Sequence, residues 1–371
     1  MVDAAQADEI RRLLVVIPNW VGDVVLATPT FAALRARHPA ARITFLMRRY
    51  LAEVTAGGNW HDAEAYWPNE TGLRRLPALL TLAQSLRAAR HDAALLLTNS
   101  FQSALLAWLA RIPRRVGYAR DGRSALLTER LAPPRANGAL RPTPAPAYYA
   151  TLAARLGSSA ADLRLRLGTT PRQEQDGREL LERLGLLDTS YAVINPGAAY
   201  GAAKCWLPER FAELCDRLAH ERGWRCVVVG AAHEAPLMRA IATQARSSVV
   251  CCDNPGTTLG SLKVVIREAR LLVCNDTGPR HYGVALGTPT VTVFGPTDPA
   301  WTETGAACER KVRVPVPCGP CQLKRCPLDH RCMTEVSVDM VMAGVRAVLE
   351  RGPAPAADGA GPAPPESRPA C

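Results

Sequence analysis

Residues 13–23 read Leu13-Leu14-Val15-Val16-Ile17-Pro18-Asn19-Trp20-Val21-Gly22-Asp23. Five apolar residues in succession, stopped by a proline, read as a strand buried on both faces, the appearance of a strand inside a parallel sheet. Asn19-Trp20-Val21-Gly22 turns the chain, and Ala27, Phe31 and Leu34 then fall at helical spacing across 23–38. Pro29 sits early in that segment and predicts a kink. The same reading repeats outward. Strands are expected at 42–47, 93–98 and 115–118, giving a β-α-β-α order and a parallel sheet with helices on both faces. Residues 132–147 hold five prolines and read as loop. Helical patterns resume at 148–156 and 172–184. A second series follows, with strands at 192–195, 225–229, 248–251, 271–274 and 290–294 and helices at 209–222, 235–244 and 259–268.

The chain therefore reads as α/β, with two doubly wound parallel-sheet units, 1–170 and 171–350, facing across a cleft. Ligands in such sheets bind beyond the carboxyl ends of the strands, so the cleft between the units is the expected active site. Residues 351–371, rich in Pro, Ala and Gly, cannot bury a core and are expected to be a disordered tail.

Composition agrees with a folded chain of about two domains: 371 residues, 48% hydrophobic and 21% charged. No apolar run reaches 18 residues, and 1–12 lacks the pattern of a secretory signal, so a cytoplasmic protein is expected. The net charge is 45 − 34 = +11. Residues 1–150 carry most of it, with 19 arginines, no lysine and 11 acids. Such a half suits an anionic partner, whether nucleic acid, membrane surface or phosphorylated substrate, or is simply a soluble surface. No G-x-G-x-x-G follows the first strand and no G-x-x-x-x-G-K-[ST] occurs, which argues against a dinucleotide oxidoreductase and a P-loop phosphotransferase.

Four loops at strand ends hold the candidate chemistry. Asp23 follows the first; a helix N-terminal acid is the bland alternative. The loop from Asn195 to Trp206 offers small residues for close backbone approach and Lys204 as a point charge for phosphate. Gly230-Ala231-Ala232-His233-Glu234 places a carboxylate where it could accept both hydroxyls of a ribose, or serve only as a first-turn acid. Asn275-Asp276-Thr277-Gly278-Pro279-Arg280-His281 opens a helix whose free N–H groups and dipole suit a phosphate. Asp276 there could equally be a structural cap.

With Phe294-Gly295-Pro296-Thr297-Asp298-Pro299, Asn99-Ser100-Phe101 and Arg115-x-Gly117-Tyr118, these motifs occur in an order that resembles the ADP-heptose:lipopolysaccharide heptosyltransferases of glycosyltransferase family 9, above all their heptosyltransferase II branch. The likeness runs over about residues 12–350. It implies a GT-B fold of two Rossmann-like domains, an acceptor-binding one in front and an ADP-sugar-binding one behind. It also implies an inverting transfer of L-glycero-D-manno-heptose from ADP-heptose to an inner-core heptose of a lipopolysaccharide precursor, with no metal required for catalysis. Asp23 would be the base, Lys204, Thr277 and Gly278 would hold the diphosphate, and Glu234 the ribose. Asp276, His281 and Trp206 would shape the donor pocket, and Asn99, Ser100 and Tyr118 the acceptor side. The acceptor is an anionic lipid, so peripheral contact with the cytoplasmic membrane face is expected, and no nucleic acid. Two departures stand out: Arg280, which is expected to alter the donor pocket, and Ala199, where some relatives carry Thr or an acid.

Other readings keep the fold with a different nucleotide sugar or acceptor, or make the basic half and the Cys loop a nucleic-acid-binding module. Sparse aromatics, 5% of residues, speak against the last. Cys318, Cys321, Cys326 and Cys332 form a C-x2-C-x4-C-x5-C cluster. Structural zinc, a disulfide clip and reduced packing thiols are all open for it. Cys226, Cys251 and Cys274, on apolar segments, read as small buried hydrophobes.

Overall fold

In the computed structural model, residues 9–350 apart from Pro255 are described, so the tail expected at 351–371 lies outside the described residues. Two six-stranded sheets share one design. The first holds β1 (Arg12–Val16), β2 (Arg42–Met47), β3 (Ala63–Tyr66), β4 (Ala93–Leu96), β5 (Arg114–Tyr118) and β6 (Glu129–Leu131), in the order β3-β2-β1-β4-β5-β6. A small antiparallel hairpin follows, β7 (Arg135–Ala136) with β8 (Ala139–Leu140), inside the stretch that its prolines predict to be loop. The second sheet holds β9 (Tyr191–Asn195), β10 (Arg225–Val228), β11 (Val249–Cys251), β12 (Leu271–Asn275), β13 (Thr290–Val293) and β14 (Glu309–Val312), ordered β11-β10-β9-β12-β13-β14. All pairs within both six-stranded sheets are parallel. The two doubly wound parallel sheets expected from sequence are therefore present.

In each sheet the first strand lies in the middle, and the chain winds outward from it in both directions. Leu14 of β1 faces Thr44 of β2 on one side and Ala94 of β4 on the other; Val193 of β9 faces Val227 and Leu272 in the same way. The winding reverses between β1 and β4 and between β9 and β12. Loops diverge there and leave a crevice at the carboxyl ends. Asp23 and Asn99 border the first crevice, Lys204 and Asp276 to Gly278 the second.

The expected helix over 23–38 is two helices, Val21–Leu26 and Thr28–Arg37, broken at Ala27. Pro29 stands in the first turn of the second helix, where its missing N–H costs nothing, so the proline starts a helix rather than bending one. Cys226 and Cys274 are buried in the core and Cys251 is partly buried. Among the described residues no helix is long and apolar enough to cross a membrane.

One apolar cluster runs through both halves, joining Val15, Val25 and Phe31 of the first to Leu180, Val264 and Tyr282 of the second. A buried lysine ties them further. Lys263, in the helix Ser261–Arg267, is fully buried, and its ammonium donates to Ala56 O at 2.8 Å, Gly168 O at 2.9 Å and Gln173 Oε1 at 3.3 Å. Burial lowers its pKa to about 7, with Glu53 opposing. Each N–H of the ammonium thus meets one acceptor, from three different segments. Replacing Lys263 with Met should strand those acceptors in the interior. The expected loss is about 2–4 kcal/mol of stability, read from the urea midpoint of unfolding.

Candidate active site

The two crevices meet at a contact where each half presents a glycine to a side chain of the other. The helix Val21–Leu26 follows β1 and the helix Gly278–Leu286 follows β12, and their N-termini abut. A Cβ built on Gly22 would lie 2.9 Å from His281 Cδ2, and one on Gly278 would lie 3.1 Å from Val21 Cγ1. Asp23, one residue on, therefore stands beside the second half. Its carboxylate is raised to about 6, by burial first and then by Asp276, with Lys204 opposing. It accepts no hydrogen bond from any described residue. A half-buried, unpartnered carboxylate with such a pKa is poised to take a proton.

Lys204 and Asp276 face it from the other side. Lys204 Nζ donates to Asp276 Oδ2 at 2.6 Å and to Asp276 O at 3.1 Å, and lies 4.8 Å from the centre of the Tyr200 ring. Thr297 Oγ1 also donates to Asp276 Oδ2, at 2.7 Å. Burial would raise the Asp276 carboxyl, but Lys204 and Arg280 overcome this and hold it at about 2. Asp276 is thus no helix cap; it is the fixed anion that locates the lysine. His281 is buried, and burial together with the Arg280 cation keeps its pKa well below the usual histidine range. It is a neutral imidazole whose Nδ1 has no partner among the described residues. Thr277 is the N-cap residue of the helix Gly278–Leu286, yet its side chain makes no cap hydrogen bond, which leaves the hydroxyl available at the helix mouth.

Glu234 lies across the loops after β9 and β10. Its Oε2 accepts from Ala231 N at 2.8 Å, and a Cβ on Gly197 would collide with its carboxylate. Glycine at 197 is what lets the two loops close on each other. Asp23, Lys204, Thr277, Gly278, Asp276 and His281 are therefore gathered around one point, with Glu234 on the adjacent loop.

The other expected site residues fall elsewhere. Trp206 is buried in the second core, its indole N–H donating to Val336 O at 3.0 Å and its backbone N–H to Asn275 Oδ1 at 3.1 Å. It fixes the exit of the Lys204 loop from beneath. Ser100 caps the helix Phe101–Leu109, accepting from Ser103 N at 3.3 Å. Tyr118 is buried, stacks on Tyr148 at 3.9 Å and donates to Tyr148 O at 3.0 Å. Asn99 is oriented by Arg123 at 3.3 Å and Tyr148 at 3.4 Å. Arg123 itself escaped the sequence reading. It is fully buried, burial holds it down at about 10, and it donates to Tyr118 O, Thr98 O, Ser103 Oγ and Asn99 Oδ1. Its only sequence signal is a turn between β5 and β6.

Arg280, expected in the donor pocket, points beneath it. Its guanidinium is buried against both Glu309 oxygens, Asp276 Oδ1 at 3.1 Å and Thr302 Oγ1 at 2.7 Å. Lys204, Asp276, Arg280 and Glu309 thus alternate in sign from the cleft inward.

The family model of glycosyltransferase family 9 (heptosyltransferase) matches residues 79–331, more than half of the chain. The chain belongs to this family. Its similarity to lipopolysaccharide heptosyltransferase 2 of Escherichia coli is 30% identity over 317 residues, 82% of this chain and 88% of the relative. The namesake of Salmonella typhimurium is 29% identical over 311 residues, with the same coverage. Among solved structures, the ADP-heptose lipopolysaccharide heptosyltransferase II of E. coli superposes with a TM-score of 0.76 at 24% identity, covering 92% of this chain and 99% of that one. The family 9 glycosyltransferase of Veillonella parvula gives 0.79 at 21%, covering 92% and 98%. The fold is that of these GT-B glycosyltransferases, and this heptosyltransferase-family enzyme carries its gathered residues at the junction of its two sheets.

Proposed function

We propose that this glycosyltransferase moves L-glycero-D-manno-heptose from ADP-heptose to an inner-core heptose of a lipopolysaccharide precursor, with inversion and without a catalytic metal. The observation that carries the reading is the approach of the Asp23 carboxylate, from the first half, to Lys204 and the Thr277–Gly278 helix mouth, from the second. The names of its relatives support the sugar and the acceptor class.

In this reading the acceptor binds along the first sheet and the donor along the second. The acceptor hydroxyl attacks the anomeric carbon as Asp23 takes its proton. The bond from that carbon to the diphosphate oxygen breaks, and the electron pair leaves with ADP. Lys204 and the N–H groups of the helix mouth meet the charge that develops on the leaving group. A cation already fixed by Asp276 needs no reorganisation at that moment. Asp276 and His281 shape the sugar pocket, and Glu234 accepts from the ribose hydroxyls. The acceptor is an anionic lipid, and the arginine-rich first half suits contact with the cytoplasmic membrane face.

Calorimetric titration with ADP, followed by transfer assays over a panel of nucleotide sugars, tests this. ADP-heptose should be the preferred donor; a faster reaction with another nucleotide sugar overturns the assignment. Gly197→Ala should push the Glu234 carboxylate aside and weaken ADP binding about tenfold, the value of one hydrogen bond to a charged group. Its affinity for ADP lacking both ribose hydroxyls should not change. Equal weakening for both ligands would remove Glu234 from the ribose.

A further inference from the structure

Four large apolar side chains stand exposed on one face of the first half. The helices Arg75–Ala88 and Phe101–Leu109 lie side by side on the first sheet, where Ala83, Leu86, Ala104 and Ala107 pack with Leu14, Val16 and Leu96. The opposite sides of both helices therefore face outward. Leu76 and Leu80 are one turn apart on the first helix, Phe101 and Trp108 two turns apart on the second, and these four are between 43% and 66% exposed. A patch of this kind marks an interaction surface. Arginines frame it. At one end Arg75 Nη2 donates to Gln102 Oε1 at 2.7 Å. At the other, Arg87, Trp108, Leu109, Arg111 and Arg115 line an open groove of about 550 Å³. Arg115 is anchored by Leu126 O at 2.7 Å and by Ile112 O, and among the described residues none of the groove's three arginines is paired with a carboxylate. Arg111 holds φ +55° just past the helix end, a left-handed position that glycine ordinarily fills. From 71 to 118 the sequence has seven arginines and one acid, Asp92, which is spent on the backbone N–H groups of Arg11 and Arg12. The groove lies toward the amino ends of the strands, near the start of β5, and so away from Asp23. Phe101, at the other end of the patch, follows Asn99 on the border of the first crevice.

We propose that this two-helix face seats the protein on an anionic phospholipid bilayer, with Leu76, Leu80, Phe101 and Trp108 among the headgroups and upper acyl chains and a lipid phosphate in the groove of Arg87, Arg111 and Arg115. Charge selects the partner, since the face is rich in arginine and its one nearby acid is already engaged. A free anion would use the arginines and leave the four apolar side chains in water; a bilayer takes both. Tryptophan and leucine beside arginine is the composition that suits the boundary between headgroups and acyl chains. Guanidinium forks match phosphate oxygens. Seated in this way, the two helices lie flat on the surface and the crevice beside Asn99 opens at their edge, where a lipid-borne acceptor presents its sugar. That delivery of the acceptor deepens the transfer reading above and rests on it; the seat itself does not.

The test is co-sedimentation of the full chain with vesicles of phosphatidylglycerol and phosphatidylcholine, and with vesicles of phosphatidylcholine alone. The mixed vesicles should bind about tenfold more tightly or better. An arginine near such a surface is worth about fivefold, so Arg87→Gln with Arg111→Gln should weaken binding about 25-fold. Arg178→Gln with Arg222→Gln removes the same charge from exposed helix positions of the second half and should change binding by about twofold or less. Leu76→Ser with Trp108→Ser should weaken it about tenfold, at an unchanged melting temperature, since both side chains are exposed. Equal binding to both kinds of vesicle, equal weakening by the two arginine pairs, or binding untouched by the apolar pair overturns the proposal. So does a dimer in solution that the apolar pair turns into a monomer, which gives the face to a second copy of the chain. Transfer to acceptor carried in vesicles should fall in the Arg87→Gln, Arg111→Gln variant, while transfer to the same acceptor freed of its acyl chains holds. A wild type that transfers to neither counts against the transfer reading and leaves the vesicle result standing.

Discussion

Asp23→Asn should slow sugar transfer by about 10²–10⁴-fold, the usual contribution of a positioned general base, while ADP affinity stays within about twofold. The same substitution should raise the unfolding midpoint. Burial and Asp276 lift the Asp23 carboxyl to about 6, against 3.8 for the ordinary group. A carboxyl raised in the folded state binds its proton more tightly there than in the unfolded chain. Stability therefore falls as pH climbs from about 4 to about 6, and above that range the ionised group is a standing cost of about 1–3 kcal/mol. Asparagine removes the cost along with the base. The wild-type rate should rise with pH through about 6, since only the carboxylate accepts a proton. Thermal melts and a pH–rate profile check both halves of the claim. A variant that loses activity without gaining stability overturns the claim that the ionised group destabilises the fold.

Arg280→Met should destabilise the protein by about 3–5 kcal/mol, because it takes from buried Glu309 its nearest cation, leaving only Lys311 at 3.8 Å, and from buried Asp276 one of its two. Glu309 is 3% exposed and Asp276 8%, so water cannot replace the guanidinium. Arg280→Lys should recover little, since a single ammonium cannot span both Glu309 oxygens, Asp276 and Thr302. Adding Glu309→Gln to Arg280→Met should restore part of the loss by removing one of the stranded charges. Chemical denaturation of the three variants gives the values. Donor affinity should fall as well: with Arg280 gone, Asp276 draws on Lys204 alone for neutralisation, and less of the lysine's charge is left for a diphosphate.

The central strands were legible because each is an apolar run that both faces bury, as in 13–17 and 271–274. Of the border strands, β11 was expected at 248–251, but β3, β6 and β14 were not. β3 reads Ala63-Glu64-Ala65-Tyr66 and β14 reads Glu309-Arg310-Lys311-Val312, and short polar strands at a sheet border carry no such run. The loops that hold Asp23, Lys204 and Thr277 were legible because strand ends in doubly wound sheets are where ligands bind. What sequence could not supply was the direction of each side chain. Trp206 lies two residues from Lys204 and points the opposite way, into the core. Arg280 stands in the first turn of the helix that follows Asp276 and looked like a pocket residue; only Glu309, 29 positions later, reveals why it turns inward. Arg123 gave no pattern, because its partners are two backbone carbonyls and two neutral side chains rather than a carboxylate.

The bare meeting of Gly22 with His281, and of Gly278 with Val21, sets how near two reactants can be brought. Each jaw has surrendered its side chain where the bite is tightest, so a single added methyl on either becomes a wedge. Such a wedge at Gly22, outside the diphosphate-holding helix mouth, would spare the affinity for ADP alone and hurt the step in which both reactants must be held at once.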